Sequence, residues 1–141
     1  ALAYCINTIS KSLGAQVYVM ELTKAWMTPA MLPAITFAAG ACISFFTGTS
    51  WGTYALLVPF SIPIAFSLSG GNLGPIVFIT VGAIMGGGVF GDHCSPVSDT
   101  TCLSSFGAAS DHMDHVVTQL PYALLSAVIA FVLFVILGMT M

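Results

Sequence analysis

The sequence is short of charge. Of its 141 residues only 5% are charged: two lysines (Lys11, Lys24), five acids (Glu21, Asp92, Asp99, Asp111, Asp114) and no arginine. An ordinary soluble domain carries about 25% charged residues to keep its surface wet, so this chain cannot clothe a globule of its own size in water. It has no basic stripe to neutralise phosphates, which excludes nucleic acid as a partner. A net charge of −3 is too small to steer ligands from a distance. No CxxC pair occurs either. Cys5, Cys42, Cys94 and Cys102 lack the spacing of a redox or zinc motif, and are expected to be small, buried, reduced residues.

What the chain has instead is 57% apolar residues and a mean hydropathy of +1.02. Lipid must cover most of it. The first residues, ALAYCINTIS, show no basic, cleavable leader and read as the interior of a longer chain. Many secondary transporters pair two repeats around their substrate, and this chain is about the size of one repeat. The expectation is a fragment, or one half of a larger assembly, organised as a single all-α transmembrane region over residues 1–141.

Residues 1–33 read as a partial helix followed by an interfacial segment, where Glu21, Lys24 and Trp26 precede Pro29 and Pro33; tryptophan favours the headgroup level. Lys11 either snorkels to that interface or pairs with an acid. Residues 34–68 form two apolar arms around TGTSWGT, residues 47–53. Each arm approaches fifteen residues, short of the roughly 20 that a crossing needs. The pattern predicts a re-entrant hairpin, with one centrally unwound helix as the alternative. Irregular backbone at membrane depth survives only inside protein or beside a wet cavity, so Thr47, Thr49, Ser50 and Thr53 belong near a site unless the tip is a plain surface turn. Residues 73–110 read as a discontinuous helix, with three adjacent glycines (Gly86–Gly88) suited to close backbone approach. Residues 118–138 are the cleanest spanning helix, uncharged, with Pro121 near its start.

Most of the chemistry lies in GDHCSPVSDTT, residues 91–101. On a continuous helix, Asp92 and Asp99 would share a face, but Pro96 opposes continuity. A broken helix would gather carboxylates, hydroxyls and freed carbonyls, an oxygen set suited to a hard cation. A carboxylate within the bilayer costs at least about 2.5–3.5 kcal/mol, relieved by a proton or a bound cation. Competition for one carboxylate, with alternating access, suffices for ion exchange, and no enzyme chemistry is required. Proton-coupling candidates are Asp92, Asp99 and His93, the last titrating near neutrality. Plainer readings stand beside these: Asp92 as a helix cap, Asp99 as the cap of a helix from Thr100, and His93 as a hydrogen-bonded interior histidine. DHMDH, residues 111–115, reads as a solvated loop that places acids at a helix start, or, taken alone, as a zinc site with two histidines on one helix face. As a metalloenzyme centre, His112 and His115 would have to converge with Asp92 and His93, which intervening helix would hold roughly 20–30 Å away.

GGGVFGDHCSPVSDTTCLSSFGAASDHMDHVVTQLPYAL (86–124), NTISKSLG (7–14) and FFTGTSWGTYALLVP (45–59) resemble the NhaC family of sodium/proton antiporters. The resemblance implies the carboxyl-terminal repeat of a multi-pass antiporter of the bacterial inner membrane. Such a protein exchanges Na⁺ for H⁺ and has relatives that couple sodium to lactate and malate. More loosely, hairpin, broken helix and final helix resemble the second, inverted repeat of the wider ion-transporter superfamily. The implied cation site comprises Thr47, Gly48, Thr49 and Ser50 at the hairpin tip, with Asp92, Ser95, Ser98 and Asp99 at the break. Cys102 and Phe106 occupy variable spots. No cofactor and no metal beyond transported Na⁺ is implied. The expected partners are membrane lipid, small cations and the remaining repeat, with a homodimer among the assemblies open to it.

Overall fold

The computed structural model describes residues 28–140 and, ahead of them, Cys5, Thr8, Ile9, Ser12–Gly14, Val17, Tyr18 and Glu21. The expectations for Lys11, Lys24 and Trp26 lie outside the described residues. From residue 28 onward five α-helices follow in order, and no strand occurs among the described residues. They are α1 (Leu32–Thr47), α2 (Ser50–Leu68), α3 (Pro75–Cys94), α4 (Asp99–Gly107) and α5 (His112–Met139).

The helix boundaries follow from local chemistry. Prolines stand in the first turns of α1 and α3, where a missing N–H does no harm. Helix α1 closes on Gly48, which takes the left-handed conformation (φ 66°) and donates its N–H to Ser44 O. Thr49 then caps α2, its hydroxyl accepting from the Gly52 N–H at 3.4 Å. This cap lengthens the second arm beyond the expected fifteen residues. The SWGT segment, read as part of the tip, forms the first turn of a 19-residue helix. Pro59 and Pro63 lie inside that helix without ending it, as membrane helices allow. Likewise Asp111 caps α5, accepting from the N–H groups of Met113 and Asp114. DHMDH is therefore a cap and first turn, with its acids at a helix start as expected but within the helix rather than a loop ahead of it, and Pro121 stands inside the helix instead of near its start.

Helices α1 and α2 form an antiparallel pair. Leu32, at the start of α1, packs with Ile64 and Ala65 near the end of α2, and with Ile76 and Val77 at the start of α3. At the other end α1 runs alongside α3 in the same direction. Gly87 faces the Phe37 carbonyl and Gly91 faces Ala41 O; any side chain at either glycine would collide with backbone. Ser44 Oγ donates to Gly88 O at 2.6 Å across the same seam. In lipid, apolar side chains gain nothing by leaving their solvent, so such close packing and interhelical bonding must supply the association energy. Helix α5 returns antiparallel, with the Phe134 ring 5.4 Å from that of Phe37 and tilted against it, and Gly138 against the Ala30 backbone.

Helices α2, α3 and α5 are long and apolar enough to cross a membrane, whereas α1 is apolar but shorter. In α5 only Val116 and Gly138 are buried, so a helix apolar nearly all round turns most of its surface outward. The cysteines are free. Cys94 is buried and Cys102 half-buried, but Cys42 and Cys5 are exposed, contrary to the burial expected for all four. Cys42 lines a shallow groove with Phe90 of α3 and Leu124 of α5.

Candidate functional site

The packing brings two helix interruptions into contact. One is the tip between α1 and α2, at Gly48 and Thr49. The other is the break between α3 and α4, residues 95–98. Gly48 is seated directly on Val97 and Ser98: a methyl group there would stand 2.9 Å from the Val97 carbonyl oxygen and 3.1 Å from the Ser98 nitrogen. The two segments that the sequence marked separately thus meet. The carbonyl ends of α1 and α3 converge with the N–H ends of α2 and α4.

Pro96 cannot donate to the α3 ladder, so the carbonyls and amides around it need other partners. Each of several finds one locally. The Ser95 N–H reaches Asp92 O at 3.3 Å, and the Ser98 N–H reaches Ser95 O at 3.4 Å. Thr101 Oγ1 donates to His93 O at 3.1 Å. Ser95 Oγ accepts from the Val97 N–H, and Ser98 Oγ caps α4 through the Thr100 N–H, both at 3.2 Å.

Asp92 lies inside this knot, 6% exposed. Ser98 Oγ donates to its Oδ1 at 2.6 Å. With its single hydrogen committed there, Ser98 accepts from Thr100 Oγ1, 2.7 Å away. The result is a hydroxyl relay, Thr100 to Ser98 to Asp92, ending on a buried carboxylate. A charge-assisted bond of this kind is roughly twice as strong as a neutral one. Ser95, Ser98 and Thr101 are themselves almost wholly buried.

The other expected residues are placed differently. Asp99 is exposed in the first turn of α4, at its favourable positive end, while Ser98 takes the capping position. The break removes the shared helical face that a spacing of seven would give Asp92 and Asp99. His93 is exposed. It donates from Nδ1 to Val89 O of its own helix at 3.0 Å, and borders a separate cavity of about 430 Å³ with Phe37, Phe90, Gln119 and Phe134. At the tip, Gly48 is buried, Ser50 half-buried, and Thr47 and Thr49 exposed. Thr47 bonds only back to Ile43 O. Among the described residues no group of three His, Cys, Asp or Glu side chains could hold a metal ion, and His112 bonds to the break instead.

Sequence reasoning passed over Tyr54 and Ser44. Tyr54 lays its ring on Gly88, one turn before Asp92, and donates its hydroxyl to Met85 O at 3.1 Å. Its spacing of four from Ser50 was the available signal.

The family model described as the Na⁺/H⁺ antiporter family matches residues 1–139. Among individual relatives, the arginine/ornithine antiporter ArcD of Halobacterium salinarum is 35% identical over 81% of this chain and 23% of its own length. The malate-2H⁺/Na⁺-lactate antiporter of Bacillus subtilis is 34% identical over 78% of this chain and 22% of its own. The Na⁺/H⁺ antiporter NhaC of Alkalihalophilus pseudofirmus is 32% identical over 79% of this chain and 23% of its own. The chain spans about a quarter of the length of the curated relatives it matches. No solved structure matches it.

Proposed function

Because the chain belongs to the Na⁺/H⁺ antiporter family, a family of transporters and not of enzymes, we propose that it is part of the carboxyl-terminal repeat of a secondary active antiporter exchanging Na⁺ for H⁺ across the bacterial inner membrane. The carrying observation is Asp92, a carboxylate buried at the crossing of two helix interruptions with Ser98 as its hydroxyl partner. A carboxylate within the bilayer is costly to leave uncompensated, and in this reading a proton and a sodium ion compete to compensate it. One site thus takes either ion but not both. Ser95 and Ser98 at the break, with Thr49 and Ser50 at the tip that crosses it, are then the candidate oxygen ligands, of the kind that suits Na⁺. In this reading α1 and α2 form a hairpin that re-enters the bilayer, supported by the 16-residue length of α1. The other, amino-terminal repeat comes from the rest of the transporter.

The test is dye-monitored collapse of a pH gradient by added Na⁺ in inverted vesicles containing the complete transporter. Native collapse with loss in Asp92→Asn supports the reading. Unaltered exchange in Asp92→Asn removes it.

A second reading has an observation of its own: two relatives are named for organic substrates, arginine/ornithine and malate/lactate. Residues 28–140 contain no lysine or arginine, so an organic anion would rest on the N-termini of α2 and α4, and an organic cation on Asp92. Counterflow of labelled malate, lactate or arginine into proteoliposomes, with silence towards Na⁺, would move this reading to first place.

A further inference from the structure

The break is also held from outside itself. His112, the first residue of α5, reaches back sixteen positions, its Nε2 lying 2.7 Å from the Pro96 carbonyl oxygen. A carbonyl only accepts, so Nε2 carries the hydrogen and donates. On the opposite edge of the ring, Nδ1 lies 3.2 Å from Ser105 Oγ on α4. Ser105 is itself buried; with Nε2 donating, Nδ1 of the neutral ring can only accept, so the one Ser105 hydroxyl hydrogen is shared between Nδ1 and Cys102 O, 2.8 Å away. The imidazole is therefore fixed at both edges, between α4 and the centre of the broken segment. Asp111, capping α5, sets the turn that carries it.

Pro96 stands between the two buried serines of the break. Ser98 can serve Asp92 only while the 95–98 backbone keeps its present path, and His112 pins the middle of that path from another helix.

We infer that His112 is a positioning residue for the Asp92 site, holding the Ser95–Ser98 segment so that the Ser98 hydroxyl faces Asp92. The inference rests on the proposed cation site but concerns a different contact. Losing one such bond weakens the arrangement about five- to tenfold.

The experiment compares native transporter with His112→Ala and His112→Gln, the glutamine being able to donate to the same carbonyl. Amide hydrogen exchange at Val97 and Ser98 is followed in detergent beside thermal unfolding, and Na⁺ half-saturation and maximal rate are measured in vesicles. The expected result in His112→Ala is about five- to tenfold faster exchange at those amides and a similar rise in Na⁺ half-saturation. Maximal rate should stay within about twofold, and His112→Gln should restore native values. Native-like amides in His112→Ala, or equal loosening in both variants, overturns the inference. If His112→Ala fails to fold, Ser105→Ala carries the test: loosened Val97 and Ser98 amides support the inference and unchanged ones overturn it. If the native protein ignores Na⁺, amide exchange alone still decides the role of His112, so the two readings fail separately.

Discussion

Gly48 and Val97 touch backbone to backbone, so closely that a methyl group on Gly48 would stand 2.9 Å from the Val97 carbonyl oxygen. This contact joins the hairpin tip to the broken helix and leaves no room for any other residue at position 48.

Gly48→Ala is therefore expected to destabilise the fold on two counts. The left-handed conformation costs a residue with a Cβ roughly 1–2 kcal/mol, and the added methyl pushes the tip off the break. Thermal unfolding of the purified variant should show a clear loss and vesicle exchange should fall. Gly82→Ala is the control: nothing lies within 4 Å of that position, and alanine in mid-helix is expected to be neutral or stabilising by up to about 1 kcal/mol.

Ser98→Ala removes the hydroxyl that serves Asp92 and the cap of α4 together. Hydrogen bonds to charged groups contribute about 1.5–3 kcal/mol, so Na⁺ half-saturation should rise by at least about tenfold. Ser98→Thr keeps the hydroxyl and is expected to retain most of the affinity. Titrating the dye response with Na⁺ checks both, and an unchanged midpoint in Ser98→Ala would count against the relay.

The two acids of the motif should behave unequally. Asp92 is buried and Asp99 exposed, so Asp92→Asn is expected to abolish exchange while Asp99→Asn mainly alters Na⁺ half-saturation. His93→Gln should leave exchange within about twofold, since its one polar partner is a carbonyl of its own helix and an exposed bond of that kind contributes little. Loss of exchange in His93→Gln at native expression would restore His93 as the proton-coupling group.

Gly91→Ala tests the seam between α1 and α3. Its side chain would meet Ala41 O and the Phe45 nitrogen, both backbone, and overpacking typically costs about 1–3 kcal/mol. Lower thermal stability is expected, with Gly107→Ala, at an open position, as the comparison.

The sequence made the solvent and the helical class plain, because seven charges in 141 residues leave no other covering. Pro96 and the two acids marked the break, and Gly48 with its polar neighbours marked the tip. That the two meet was not legible, since it depends on α1 lying beside α3 in the same direction. The length of α2 was misjudged because Thr49 is both a tip residue and a helix cap. In DHMDH the helix start was legible, since Asp111 caps α5, but not that the remaining residues would already be helical. His112 could not be tied to Pro96 from spacing, because a bond across sixteen residues depends on how α4 turns.

Gathering four helix ends in one place has an electrostatic consequence. Each N-terminus carries roughly half a positive charge and each C-terminus roughly half a negative one. Two of each sign, set against one another where the tip crosses the break, form something close to a quadrupole. Its potential is strong within a few ångströms and fades faster than that of a single dipole. The helix ends therefore add almost nothing to long-range attraction of ions, and their influence is confined to the immediate surroundings of the crossing.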